Sequence, residues 1–468
     1  MEISFFNTMD RKQEVFKPVT EGEAKMYTCG PTVYNYAHIG NFRAYMFEDL
    51  LRRALQYAGY KVKQVMNLTD VDDKTIRDSR KQEMKLNDFT AVYKKAFFDD
   101  LKTLGIQPAE VYPAATDHIA EMIELVSVLL EKGYAYQAED KCIYFSIDKF
   151  PEYGKLAKID RENQRAGVRI STDEYAKDSV ADFALWKAWD ENDGDVFWES
   201  PWGKGRPGWH IECSAMAMKY LGKTFDIHTG GIDNMFPHHE DEIAQSECAN
   251  GCKYVNYWLH CAHLMVNGEK MSKSLGNFFT LRDLMDKGFK GREIRYVLLG
   301  AHYRKKLNFT FDAIKQAASS LAYFDELFIR LKEANGTACD DIDSVIAQYD
   351  AEFNTAICDD LNVSGCNAVI FKLGADCNKR MDAGQISAAD AAKILDLFRK
   401  FDNIFGYLNV DDAKKVDIPQ EIIDMAQRRA DAKKNKDWAA ADALRNEIQS
   451  AGYLIEDAPG GAFRIKKA

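Results

Sequence analysis

Two short strings, far apart in this chain, carry residues suited to gripping a polyphosphate. The first is His38-Ile39-Gly40-Asn41, which follows Tyr27-Thr28-Cys29-Gly30-Pro31-Thr32-Val33-Tyr34. The second is Lys270-Met271-Ser272-Lys273-Ser274-Leu275-Gly276-Asn277. His38, Gly40 and Asn41 stand where a loop turns into a helical pattern. A helix N-terminus offers an anion aligned N–H groups and partial positive charge. His38 can donate to a phosphate oxygen, and Gly40 lets a base or phosphate approach the backbone closely. Lys270 and Lys273 are flexible point charges that can close over the β- and γ-phosphates. Attack of a carboxylate on the α-phosphorus of ATP asks a protein mainly for positioning and neutralisation. Alone, each string reads as an exposed turn or a basic loop. Together, in this order, they describe an ATP site held from two sides.

The elements around them follow from periodicity. Residues 24–29 form a short apolar strand. Residues 42–58 place Phe47, Leu50, Leu51, Ala54, Leu55 and Ala58 at helical spacing, and Gly59 ends that run. Residues 61–68 alternate as a half-buried strand. This is one βαβ unit of a doubly wound sheet. The pattern breaks over 80–205, with helices at 91–104 and 118–132 and then a strand- and turn-rich part. It resumes with a strand at 224–228 leading into Gly230-Gly231, and another at 257–265. Helical patterns follow at 291–299, 310–331, 342–358 and 388–405. A last piece begins at Pro419, with helices at 420–435 and 438–450 and a hairpin-like end at Pro459-Gly460-Gly461. The expected fold is α/β: a Rossmann-like parallel-sheet catalytic domain in two halves, 1–79 and 206–310. A connective insertion, 80–205, interrupts it. An α-helical bundle, 311–410, and a small C-terminal domain, 411–468, complete the chain.

Composition sets broad limits. The 468 residues are 46% apolar and 12% aromatic, enough for large cores. No run of 18 apolar residues predicts a membrane span, and the N-terminus lacks the pattern of a signal peptide. Ten scattered cysteines without an export signal predict free thiols in a reducing cytosol. The net charge of −11 weighs slightly against a nucleic-acid partner, yet binding needs only a local basic face. Residues 411–468 are balanced, with 11 Lys/Arg and 11 Asp/Glu, and cluster Arg428-Arg429, Lys433-Lys434 and Lys436. That cluster reads either as a solvated helix face or as a phosphate-backbone contact.

Here a resemblance becomes specific. The chain resembles the class I aminoacyl-tRNA synthetases, which carry "HIGH" and "KMSKS" strings, and within them the cysteinyl branch. The matching stretches are 27–34, Asn67-Leu68-Thr69-Asp70-Val71-Asp72-Asp73-Lys74, Gly208-Trp209-His210-Ile211-Glu212-Cys213-Ser214-Ala215-Met216, Phe236-Pro237-His238-His239-Glu240 and 270–277. Similarity continues more weakly through 298–311, Asp359-Asp360-Leu361-Asn362 and Ala441-Asp442-Ala443-Leu444-Arg445. Two positions depart from the pattern. Asn41 replaces a second histidine but keeps a donor, and Ser179-Val180-Ala181-Asp182 lacks a proline.

The resemblance implies ATP-dependent activation of L-cysteine and its transfer to a cysteine tRNA by a monomeric cytoplasmic ligase, with Mg²⁺ on the phosphates. His38, Lys270 and Lys273 are the implied catalytic residues, and Gly40, Asn41, Gly231 and Asp233 complete the ATP site. Tyr27, Cys29, Thr69 and Trp209 are expected to line the amino-acid side. One Zn²⁺ is implied, on Cys29, Cys213, His238 and Glu242. Spacing alone favours a different set, Cys248, Cys252, Cys261 and His263. Two other functions stay open: a relative joining cysteine to an aminosugar, and a non-catalytic RNA-binding protein of the same ancestry.

Overall fold

Residues Glu23–Thr28 form β1, whose last three side chains, Met26, Tyr27 and Thr28, are fully buried. It pairs in parallel with Lys61–Met66 (β2) on one side and Phe225–Gly231 (β3) on the other. β3 pairs in parallel with Val255–Cys261 (β4), so the sheet order is β4-β3-β1-β2. Helix α1, Ile39–Tyr57, connects β1 to the edge strand β2. Helix α2, Trp209–Leu221, leads into β3, and α3, His238–Asn250, joins β3 to β4. The computed structural model describes residues 1–159, 182–272, 274–413, 418–457 and 463–467.

Strand periodicity divides the interior into two cores. Met26, Ile227 and Leu259 point to the α1 side, among Phe42, Met46 and Leu50. Tyr27, Val65 and Trp258 point the other way, among Ile211, Met216 and Ile243 of α2 and α3. Successive residues of one strand therefore serve opposite layers.

The insertion carries an antiparallel sheet of Ala135–Gln137, Ile143–Phe145, Phe183–Ala188 and Gly205–Pro207, with helix Ile119–Glu131 against it; helix Leu86–Thr103 packs on Asp73–Lys81. Of the departure at 179–182, only Asp182 is among the described residues. It accepts from the Tyr136 hydroxyl at 2.9 Å and the Ile147 N–H at 3.0 Å. Phe311–Lys332, Ile342–Cys358, Val363–Asp382 and Ala388–Phe405 form the helical region, where Phe353 stacks on Phe401 at 3.9 Å. Gln420–Lys434, Trp438–Ser450 and a hairpin of Tyr453–Asp457 with Phe463–Lys467 share a small separate core.

Of the elements that differ from the sequence-based expectation, three have an evident cause. Helix α1 starts at Ile39 rather than Phe42, because His38 caps it. The expected strand at 257–265 ends at Cys261, and Leu264–Val266 pairs instead with Leu307–Phe309. Helix Val363–Asp382 is not among the expected helices, although Val363, Cys366, Val369, Ile370, Leu373 and Cys377 recur on one face. Its Gly365, Gly374, Asn367 and Asn378 are weak helix formers, and packing decides. A Cβ on Gly374 would lie 3.0 Å from the Tyr323 hydroxyl.

A buried carboxylate joins these layers. Asp49 of α1 takes Arg295 at 2.5 Å, Arg53 at 2.8 Å and the Gln107 N–H at 2.9 Å. Arg295 also donates to the carbonyls of Leu104 and Phe405, at the ends of two other helices. Asp49→Ala leaves a buried guanidinium without its counter-charge and is expected to cost about 3–5 kcal/mol of stability. Urea unfolding measures this; a loss below about 1 kcal/mol would contradict the role assigned to Asp49.

Candidate active site

Open parallel sheets bind ligands beyond the carboxyl ends of their strands, where the strand order reverses. Here that point lies between β1 and β3. Cys29 follows β1 directly and donates its N–H to the Thr229 carbonyl at 3.4 Å. A Cβ on Gly30 would overlap the Asn67 carbonyl oxygen, so only glycine fits. The Gly30 N–H donates to Asn67 Oδ1 at 2.9 Å, and Asn67 Nδ2 donates to Thr69 Oγ1 at 3.1 Å. Thr69 exchanges backbone bonds with the same loop, to Pro31 at 3.1 Å and from Val33 at 3.0 Å. The loops after β1 and β2 are thus laced together, which brings Thr69 next to the Cys29 loop.

His38 and Asn41 cap α1 reciprocally. The Asn41 N–H donates to His38 Nδ1 at 3.2 Å, and the His38 N–H donates to Asn41 Oδ1 at 3.1 Å. The asparagine that departs from the family string therefore closes the cap. With Nδ1 accepting, the neutral imidazole carries its hydrogen on Nε2. The two signature strings meet here. The Ile39 N–H donates to the Phe279 carbonyl at 2.9 Å, and the His38 ring lies edge-on to Phe278 at 5.0 Å. A Cβ on Gly40 would come within 2.9 Å of the Met271 methyl. Asn277 clasps the second loop, accepting from the Ser272 N–H at 2.8 Å and donating to the Lys270 carbonyl at 3.3 Å. Lys270 is exposed. Lys273 lies outside the described residues. Gly231 ends β3, and a Cβ there would strike the Asp233 carboxylate.

Beside this loop lies a buried cluster of ligand-type side chains. α2 carries Cys213 in its first turns, and α3 begins at His238 with Glu242 one turn on. The ligand atoms of Cys29, Cys213, His238 and Glu242 all lie within 4.8 Å of one another. A second set, Cys29, His228, His239 and Glu242, meets the same 4.8 Å limit. The bonds around Glu242 separate the two sets. Oε2 is 3.0 Å from His228 Nε2 and accepts from the Tyr254 hydroxyl at 3.3 Å. Oε1 is 3.1 Å from His238 Nε2 and has no hydrogen-bond partner. A cation in the first set would use this orphaned oxygen and leave the Oε2 bonds intact. Two thiolates, an imidazole and a carboxylate suit zinc.

The surroundings orient these ligands. His238 Nδ1 is 2.8 Å from His210 Nδ1, whose Nε2 is 3.3 Å from Asp241 Oδ2. Trp209, 43% exposed, stacks on the His238 ring at 4.5 Å. Burial pushes the His238 imidazole down to about 3 and holds His239 well below its ordinary range, so both are neutral. A hydrogen bond with Cys213, then burial, holds the Cys29 thiol well above its usual pKa. Its proton departs when a cation takes its place.

Tyr27 is fully buried beneath Cys213, with its hydroxyl toward that sulfur. Cys248, Cys252, Cys261 and His263, favoured by spacing, form no ligand group among the described residues. Cys248 and Cys261 are buried thiols, while Cys252 is exposed. The acidic 70–73 run is structural. Asp70 accepts from Thr116 and Lys94, Asp72 caps Asp73–Lys81, and Asp73 pairs with Lys187 and Arg206. His210, His228, His239 and Tyr254 were missed by the sequence reading. The adjacent pair His238-His239 and a histidine inside an apolar strand were the available signals.

Known proteins resemble this chain over almost its whole length. The family described as tRNA synthetases class I (C) catalytic domain matches residues 15–319. The DALR domain matches 352–409, and the Cysteinyl-tRNA ligase anticodon binding domain matches 416–463. A cysteine–tRNA ligase of Brachyspira hyodysenteriae is 51% identical, with 98% of each chain covered. One from Protochlamydia amoebophila is 50% identical over 99% of this chain and 98% of its own. In fold, a Mycobacterium tuberculosis methionyl-tRNA synthetase in complex with methionyl-adenylate superposes with a TM-score of 0.62 at 14% identity, covering 86% of this chain and 94% of the other. The chain belongs to the cysteinyl branch of the class I aminoacyl-tRNA synthetases, the cysteine–tRNA ligase family.

Proposed function

We propose that the chain activates L-cysteine with ATP, giving cysteinyl adenylate and pyrophosphate, and passes the acyl group to the 3′-terminal ribose of the cysteine tRNA. The observation that supports this most is the ligand set of Cys29, Cys213, His238 and Glu242. It adjoins the loop that leads into His38, where the two phosphate-gripping strings meet. ATP enters with Mg²⁺. His38 Nε2 and the ammonium groups of Lys270 and Lys273 face its phosphates, Gly40 gives them room, and Asn41 holds His38 in place at the positive end of α1. Asp233 accepts from a substrate hydroxyl or ammonium, and Gly231 gives the nucleotide room. Trp209 and Thr69 bound the amino-acid side, with Tyr27 behind Cys213.

Serine differs from cysteine by one atom, and shape alone rejects such a near-isostere by only about 1–3 kcal/mol. Zinc, one ion per chain on these four residues, supplies a soft Lewis acid that holds a thiolate firmly and a hydroxyl weakly. The four side chains fix its place so that the substrate sulfur arrives as an additional ligand. The 311–410 helices and the 411–468 domain are the tRNA side of a monomeric cytosolic enzyme, with Arg428, Lys433, Lys434 and Lys436 toward the phosphate backbone.

Purified protein is expected to hold one zinc per chain, and X-ray absorption should gain a sulfur scatterer when cysteine, but not serine, is added. An unchanged zinc spectrum with cysteine would defeat the coordination scheme. Lys270→Ala or Lys273→Ala should slow adenylate formation by on the order of 100- to 1,000-fold while leaving the Kd for cysteine nearly constant. Equal losses in both would contradict their role at the phosphates. A chain ending near residue 415 should retain cysteine-dependent ATP–pyrophosphate exchange and lose charging of purified tRNA. Undiminished charging would remove the C-terminal domain from recognition. Failure of exchange in the full chain, with cysteine as sole amino acid, would favour a non-catalytic RNA binder. Exchange without tRNA charging would favour transfer to an aminosugar.

A further inference from the structure

Two imidazoles that the ligand set does not use lie in line behind Cys29. His239 Nε2 is 3.3 Å from Cys29 Sγ. His239 Nδ1 is 2.9 Å from His260 Nε2, and His260 Nδ1 is 2.9 Å from Thr8 Oγ1. His239, His260 and Thr8 are all buried. Their rings are braced by Trp258, which lies 5.1 Å from His239 and stacks on His228 at 4.6 Å. The Thr8 N–H donates to the Trp258 carbonyl at 2.8 Å, which fixes the far end of the row.

The direction of the hydrogens along this row is set by its Cys29 end. A metal-bound thiolate only accepts, so His239 must carry its hydrogen on Nε2. A neutral imidazole has one donor and one acceptor, so His239 Nδ1 accepts and His260 Nε2 donates to it. His260 Nδ1 then accepts, and a hydroxyl is what can donate there. Thr8 supplies it. Any other arrangement sets two hydrogens or two lone pairs face to face inside the protein.

We infer that Thr8, His260 and His239 form a buried donor chain ending on the Cys29 sulfur, and that this chain keeps the metal able to accept the sulfur of the substrate. This rests on the zinc reading of the site. Three anionic ligands, Cys29, Cys213 and Glu242, already exceed the charge of a divalent ion, and the substrate brings a fourth. A hydrogen bond draws electron density from the Cys29 thiolate and weakens its donation to the metal. The metal then retains acidity for another thiolate. His239 is by this account a positioning residue for Cys29 and not a ligand, which separates the two overlapping ligand sets by role.

The test needs no turnover. Cobalt(II) replaces zinc in the full chain, and L-cysteine is titrated while the sulfur-to-cobalt charge-transfer absorption is followed. His239→Phe should keep its metal and weaken cysteine binding about tenfold or more. Thr8→Val, remote from the metal, should weaken it by a smaller factor. His239→Gln keeps an N–H toward Cys29 and an acceptor toward His260, and should bind cysteine nearly as the unaltered chain does. ATP affinity should be constant throughout. Cysteine titrations of His239→Phe and Thr8→Val that match the unaltered, metal-loaded chain would overturn the inference. So would loss of metal in His239→Phe with Thr8→Val silent, since His239 would then be a ligand. An unaltered chain that takes up neither cobalt nor zinc would instead overturn the zinc reading on which the inference stands.

Discussion

The parallel pairing of β1 with strands on both sides is the constraint from which the site follows. Tyr27 lies opposite His228, and Thr28 opposite both Thr229 and Met66. Parallel strands in register finish together, so Cys29, Gly230-Gly231 and the Asn67–Thr69 turn share one edge although they are far apart in the chain. The same register sets which layer each side chain enters. His228 faces α2 and α3 with Tyr27, while Ile227 faces α1. A slip of one residue would send His228 into the opposite core and bring Ile227 against Glu242.

That edge holds an unusual concentration of polar groups in a protein interior. Burying them without partners would be costly. Most are satisfied in pairs: His228 and Tyr254 on Glu242, His210 on His238, His239 on Cys29. Trp258 and Trp209 cover the rings. The open valence at Glu242 Oε1 stands out against this background. It lies among two thiols and an imidazole, a donor set compatible with a metal ion.

Helix α1 connects this chemistry to the rest of the molecule. Its first turn is capped by His38 and zipped to the Phe278–Phe279 stretch that descends from the lysine loop. Asp49, about 16 Å along the helix from His38 at 1.5 Å per residue, holds the Arg295 and Arg53 guanidiniums. Those in turn reach the ends of the insertion helix Leu86–Thr103 and of Ala388–Phe405. One helix therefore carries the His38 cap and the joint of three lobes, which ties the geometry of the two signature strings to how the other lobes are seated.

Local chemistry was legible in the residues themselves. The loop-to-helix junction at His38, the βαβ unit around it, the lysines of the second loop and the shared helix face of His238 and Glu242 depend on neighbours within a turn or two. Spacing pointed wrongly to Cys248, Cys252, Cys261 and His263, because a ligand set drawn from two strand ends and two helices has no characteristic spacing. Only the family resemblance joined Cys29 to Cys213. The strand register and the packing of α2 and α3 then decided that His239 backs Cys29, that His228 and Tyr254 share one oxygen of Glu242, and that the other stays open. Those contacts join residues up to 210 positions apart. Nothing in local propensity encodes them; they exist because the strands end at a common edge and the polar groups brought there must find partners out of water.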